Sequence, residues 1–191
     1  MALDNVVGEL NIIFKRRGAA INLRNIKIFI PAEPAKGVNM VIETKLFGQI
    51  GVDEEKLIKF VNGIVGFPEL TDFLLIHDSE GNGNIQWLQS VQEPAFAMPV
   101  MNPLHVKEDY NPVIEDELLK PLDIKNPEDF FVLVTVTVPK EIEKMSVNLM
   151  APIIISGETR KANQIIVDQE GYVVKYPIYE ILKAAKERAG E

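Results

Sequence analysis

From Met40 onward, apolar residues recur mostly with a period of two, the spacing that sends alternate side chains to opposite faces of a strand. Met40–Ile50 alternates in part, and Leu57–Phe60 follows the acidic turn Asp53-Glu54-Glu55. Asn62-Gly63 signals a tight turn, because both residue types tolerate positive φ. Phe73–His77 and Ile85–Val91 flank a polar, glycine-containing connection and predict a hairpin. Phe96–Met101 predicts another short strand. Its Pro99 has no N–H to give to a ladder, which points to an edge position or a bulge.

Asp129–Pro139 (DFFVLVTVTVP) predicts the clearest strand, dense in β-branched and aromatic residues with almost no polar break. Such a run implies burial on both faces or a barrel-like curl. Met145–Ser156 predicts a second long strand, and Gln164–Asp168 a third after a polar turn. Helix is predicted at Glu115–Lys120 and at Ile178–Arg188, with Pro177 suited to a first turn and Gly190 just beyond the end. About eight strands joined by turns predict a mainly β fold: a small antiparallel barrel or half-barrel with a C-terminal helix and a short helical acidic segment.

Composition narrows the function classes. The 191 residues contain no cysteine, so disulfides, thiolate metal sites and a cysteine nucleophile are excluded. No run approaches the ~20 apolar residues that span a bilayer. The opening MALDNVVGELNIIFKRR carries Asp4 and Glu9 and lacks the pattern of a signal peptide. A soluble cytoplasmic protein without a membrane role is the expectation. Net charge is −8 but unevenly spread. Residues 1–39 hold six Lys/Arg against three acids, a net +3, while residues 40–191 hold 14 against 25, a net −11. An acidic body opposes direct binding to nucleic-acid phosphates and suits solubility or a basic protein partner.

Most of the candidate chemistry dissolves on inspection. Asp78 to Gln89 fits much of a calcium-loop template, but Gln89 stands where a bidentate glutamate is needed and the flanks read as strands. His77 and His105 are the only histidines, and neither lies in a metal, triad or phosphate-loop motif. Paired acids such as Asp53-Glu54-Glu55 and Glu115-Asp116-Glu117 sit in turns or at helix starts. No catalytic residue, cofactor site or metal site is expected. Met98, Met101, Met145 and Met150 gather around the long strands, as core filling or as an adaptable surface. The acid-rich stretch Glu108–Asp129 reads either as a solvated cover or as a docking surface for a basic protein.

Several segments, in order, carry a family likeness. They are Val41-Ile-Glu-Thr-Lys45 with Gly48, Ile58-Lys-Phe-Val-Asn-Gly-Ile-Val-Gly-Phe67, Trp87-Leu-Gln-Ser-Val91, Asn102-Pro103, Leu133-Val-Thr-Val-Thr-Val138, Asn148-Leu-Met-Ala-Pro-Ile-Ile-Ile155, Arg160-Lys161 and Gln164-Ile-Ile-Val-Asp168. Read this way, residues 40–185 resemble the FliW flagellar assembly factors, with Val65 where that pattern has proline. The resemblance implies a non-enzymatic, chaperone-like regulator with a small barrel-like fold. It implies two mutually exclusive partners: newly made flagellin, and CsrA, the RNA-binding repressor of flagellin translation. Recognition is placed on Glu115, Asp116 and Glu117 and on the face near Asn148, Met150 and Pro152. For Asn148 the competing reading is an amide bonding the backbone, and for Pro152 a residue that ends or bulges a strand. The competing function class is a ligand-binding β-barrel or an unrecognised enzyme.

The same likeness marks Met40 as a natural first residue. Residues 1–39 are expected to be an extension, read as translated upstream sequence from an early start codon, and residues 40–191 the FliW-like domain. The residues Lys36-Gly-Val-Asn39 can be encoded by a purine-rich ribosome-binding sequence, and the charge changes sign across this point.

Overall fold

A computed structural model of the chain describes residues 38–77, 84–124 and 129–189; the expectation for residues 1–37 lies outside them. The strands are β1 (Val38–Thr44), β2 (Gly48–Asp53), β3 (Ile58–Phe60), β4 (Asp72–Ile76), β5 (Ile85–Ser90) and β6 (Ala97–Met101). They continue with β7 (Phe130–Thr137), β8 (Ser146–Val147), β9 (Ile153–Ser156), β10 (Lys161–Gln164) and β11 (Tyr176–Pro177). Two α-helices accompany them, α1 (Asp116–Leu119) and α2 (Tyr179–Ala189).

Strands β3, β4, β5, β6, β7, β9 and β10 close into a ring, which settles the choice between half-barrel and barrel. The ring is antiparallel except at one seam, where β10 runs parallel to β3 through Lys161↔Lys59 and Ala162↔Phe60. Closure depends on β7. Its first four residues pair with β9, Val134 and Thr135 with β6, and Val136 and Thr137 with β8. That is the curl its apolar density predicted. The hairpin β1–β2 forms a separate two-stranded sheet laid over Leu74 and Ile76 of β4.

Four sequence expectations are corrected. Met145–Ser156 is two strands, because the five residues 148–152 stand against only Val134 and Thr135 of β7 and must loop out. The ladder after the polar turn covers Lys161–Gln164, earlier than expected; Ile165 and Val167 instead donate their N–H groups to the carbonyls of Pro152 and Met150. Pro99 sits in a central strand, opposite Trp87 of β5. Pairing of β6 with β7 is confined to Val100 and Met101, beyond the proline. Pro177 likewise belongs to β11, and helical bonding starts at the Ile178 carbonyl, which accepts from the Leu182 N–H.

Inside the ring, Phe60, Phe73 and Phe96 pack edge to face, with centroids 5.1 and 6.2 Å apart, among Ile58, Leu88, Val100, Leu133 and Ile153. Side chains therefore fill the space where a ligand-carrying barrel would hold its ligand. One end is plugged by Ile64 and Phe67, the latter 4.9 Å from Phe96. These plug residues bracket a tight turn in which Ile64 and Phe67 exchange N–H···O bonds and Gly66 has φ +91°. Proline is favoured before such a glycine. Here Val65 uses its N–H to reach Gln164 Oε1 at 3.0 Å, a bond proline cannot make.

A second core lies outside the barrel, where α2 and Tyr176 cover Val136, Val147 and Leu149. Met101 and Met145 are buried in it and Met98 packs against the barrel core, so three of the four methionines fill space. Among the described residues no helix is long and apolar enough to cross a membrane.

Candidate functional site

The described part of the acid-rich stretch, residues 108–124, folds as a cover strapped over one side of the barrel. Its apolar residues Ile114, Leu119, Leu122 and Ile124 face Ile154, Ile165 and Val167. Polar straps hold it down. Thr159 Oγ1 donates to the Leu122 carbonyl at 2.8 Å, and Gln169 Oε1 accepts from the Val113 N–H at 2.8 Å. With its apolar side spent on the core, the segment turns Glu115, Asp116 and Glu117 to solvent, all three exposed. Glu117 pairs with Lys120 at 2.6 Å, and this hydrogen bond holds its carboxyl below the usual carboxylate range. Both side chains are well exposed, so the pair adds little to stability.

The looped-out residues 148–152 lie beside this cover. Asn148 donates its N–H to the Thr135 carbonyl, and its Oδ1 accepts from the Met150 N–H, each at 3.0 Å. Its amide thus fastens the excursion. Leu149 is fully buried, Pro152 is buried, and Met150 is half-buried. Of the three residues singled out in this segment, Asn148 and Met150 reach the surface and Pro152 does not.

The structure brings the two predicted regions together through a third. Residues 165–172 bond the excursion on one side, and through Gln169 and Tyr172 they bond the cover on the other. Tyr110 completes the link. Its ring lies 4.7 Å from that of Tyr172, and its buried hydroxyl donates to the Leu149 carbonyl at 2.8 Å. On these segments, and just beyond them at residues 173–174, stand exposed aliphatic side chains; those of the acid-rich stretch fall within the docking surface read from the sequence, and the others sequence reasoning missed. Val113 is 75% exposed and Ile166 66%, with Leu118, Val173 and Val174 also exposed. Ile166 was legible, since Ile165-Ile166-Val167 on an extended segment must turn its middle residue away from the core.

The other candidates assemble no site among the described residues. Gln89 points inward on β5, with Nε2 donating to the carbonyls of Ser90, Pro94 and Phe96, so it cannot close a calcium loop. Residues 78–83 of that template lie outside the described residues. Among the described residues no group of three or more acids and histidines is placed to hold a metal. His77 and His105 are both exposed, and no hydrogen bond among the described residues orients either ring.

The Tyr110 hydroxyl gives this surface a measurable alkaline limit. Burial, and then the neighbouring Tyr172, push its phenol above the ordinary value near 10. The folded state therefore holds this proton more tightly than the unfolded chain. Its contribution is complete below about pH 10 and falls as pH rises further. Tyr110→Phe is expected to cost about 1–2 kcal/mol at neutral pH, since the Leu149 carbonyl loses its partner. It is also expected to flatten the loss of stability above pH 10, as read by urea unfolding at a series of pH values.

Comparisons with known proteins agree with this architecture. The family described as FliW protein matches residues 41–178. The flagellar assembly factor FliW of Lachnospira eligens is 48% identical over 148 residues, covering 75% of this chain and 97% of that protein. The protein of the same name from Lachnoclostridium phytofermentans is 43% identical over 155 residues, covering 80% and 99%. A crystal structure of the flagellar assembly factor FliW superposes with a TM-score of 0.68 at 29% identity, covering 73% of this chain and 97% of that one. A closed barrel with this strand order, matched along nearly the whole length of such relatives, places the chain in the FliW family of flagellar assembly factors.

Proposed function

We propose that this flagellar assembly factor works by switching protein partners in the cytoplasm. It holds flagellin before export, and when flagellin leaves it takes CsrA away from flagellin mRNA. The observation that carries this reading is the acidic, aliphatic surface formed by the cover, the excursion and residues 165–172. A repressor that binds RNA must present cations to phosphates. Glu115, Asp116 and Glu117, on a body of net charge −11 from residue 40 onward, complement such a surface electrostatically. Val113, Leu118 and Ile166 add the apolar contact that holds a complex once formed. Switching then needs no catalysis, because whichever partner is free in excess of its dissociation constant occupies the protein.

The triple variant Glu115→Lys, Asp116→Lys, Glu117→Lys tests this directly. All three positions are exposed, so the fold is expected to survive. Calorimetric titration is expected to show CsrA affinity reduced at least tenfold and its salt dependence inverted. On a sizing column the unmodified protein is expected to co-elute with either flagellin or CsrA and never with both. Absence of both complexes would sink the proposal, and unchanged affinities in the variant would move the interface off the acidic cover.

A further inference from the structure

The barrel end opposite the Phe67 plug is open, and its rim is built by repetition. A step of two along a strand keeps a side chain on the same face of the sheet. On β4 the interior residue Leu75 is thus followed by His77, on β7 Leu133 is preceded by Phe131, and ahead of β10 Ala162 is preceded by Arg160. With Lys56, Gln86 and Asn102, these residues border a cleft of about 510 Å³ floored by Ile58, Leu75 and Leu133. That volume lies within the range of small-ligand sites.

Its polar groups are mostly donors. Asn102 Oδ1 is already taken by the Leu104 N–H at 2.9 Å, so the NH₂ is the group it has to offer. Lys56 is held by Asp53 at 3.0 Å. Among the described residues no hydrogen bond or ion pair engages the Arg160 guanidinium. Arg160 also has φ +55°, in the left-handed region that disfavours any residue with a Cβ. The backbone is pinned there, with its N–H donating to the Ser156 carbonyl and its own carbonyl accepting from the Lys59 N–H. An arginine kept at a position suited to glycine, its head making no hydrogen bond and feeling only the longer-range attraction of the Asp53 carboxylate at the rim of an apolar cleft, is strain of the kind that collects at binding sites.

We propose that this mouth binds a carboxylate carried on an apolar body. The guanidinium of Arg160 and the amides of Gln86 and Asn102 take the carboxylate, and the body lies on Phe131 and the aliphatic floor. A planar guanidinium matches a carboxylate with two parallel hydrogen bonds, and the apolar floor favours such a ligand over a fully hydrated inorganic anion. The site shares no residue with the acidic cover and does not depend on the partner-switching reading.

The test is a titration of the ¹⁵N-labelled full chain, followed by NMR. The probes are 4-phenylbutyrate and the dipeptide N-acetyl-leucyl-phenylalanine, each beside its own amide. Saturable shifts at the side chains of Gln86, Asn102 and Arg160, absent for the amides, uphold the site. The tighter probe then tells whether a free acid or a peptide end is preferred. Arg160→Gly is expected to weaken binding at least tenfold while leaving the melting temperature unchanged or higher, since glycine suits that φ. Absence of saturable shifts with both acids, equal shifts from the amides, or full binding by Arg160→Gly would each overturn the proposal.

Discussion

Gly63→Ala is expected to destabilise the protein by about 2–5 kcal/mol, from a left-handed backbone penalty and a steric one acting together. Gly63 has φ +66°, and a Cβ built there falls on the backbone of Pro68, 2.6 Å from its carbonyl carbon. The obstruction is main chain, anchored by the Ile64–Phe67 turn that seats the barrel plug, so no rotamer change relieves it. Gly66→Ala supplies the control. Its φ is +91°, yet nothing lies within 4 Å of the new Cβ, so only the backbone penalty of about 1–2 kcal/mol is expected. Urea unfolding of the two variants separates the terms, and equal losses would show that the contact with Pro68 relaxes freely. At 2–4 °C per kcal/mol for a domain of this size, Gly63→Ala is expected to melt roughly 10 °C early.

Phe73→Ala is expected to cost about 3–5 kcal/mol, a large share of the 5–15 kcal/mol that holds a typical domain together. The ring is fully buried at the centre of the barrel, touching the rings of Phe60 and Phe96. Removing it leaves a cavity walled by the ring of strands, and a closed barrel has little freedom to collapse onto a void. The expected signature is a lower urea midpoint with the slope retained. Phe73→Leu, which leaves most of the volume filled, is expected to recover more than half of the loss. A Phe73→Ala protein as stable as the original would mean that the barrel interior repacks, contrary to the edge-to-face arrangement seen here.

Much of this fold was legible wherever a local pattern had only one physical reading. Phe130–Thr137 could hardly be anything but a strand, although Phe130, Phe131 and Thr137 turn out exposed, and the acids at 115–117 could hardly turn inward. The features that escaped depend on distant pairing. The split of Met145–Ser156 follows from a count of residues against β7, which no inspection of the segment alone supplies. Pro99 was misplaced because a proline is excluded from a ladder only where that ladder needs its N–H, and here β7 pairs beyond it. The candidate surface was half legible. The acids, with Val113 and Leu118 among them, announced themselves by charge, whereas Ile166 resembles a core residue until the direction of the core is known. The rim around Arg160 was hidden altogether, since its members are scattered from position 56 to position 160 and meet only when the barrel closes.

The parallel seam between β3 and β10 has a consequence in time. Lys59 cannot meet Lys161 until roughly 100 further residues have been made, and contacts between such distant residues are slow to form. At ribosomal rates of about 5–20 residues per second, the early hairpins wait about 5–20 s with their apolar interior faces unsheltered. No shorter fragment ending before β10 can complete the ring. The closed barrel therefore lags the start of synthesis by the time needed to translate nearly the entire chain.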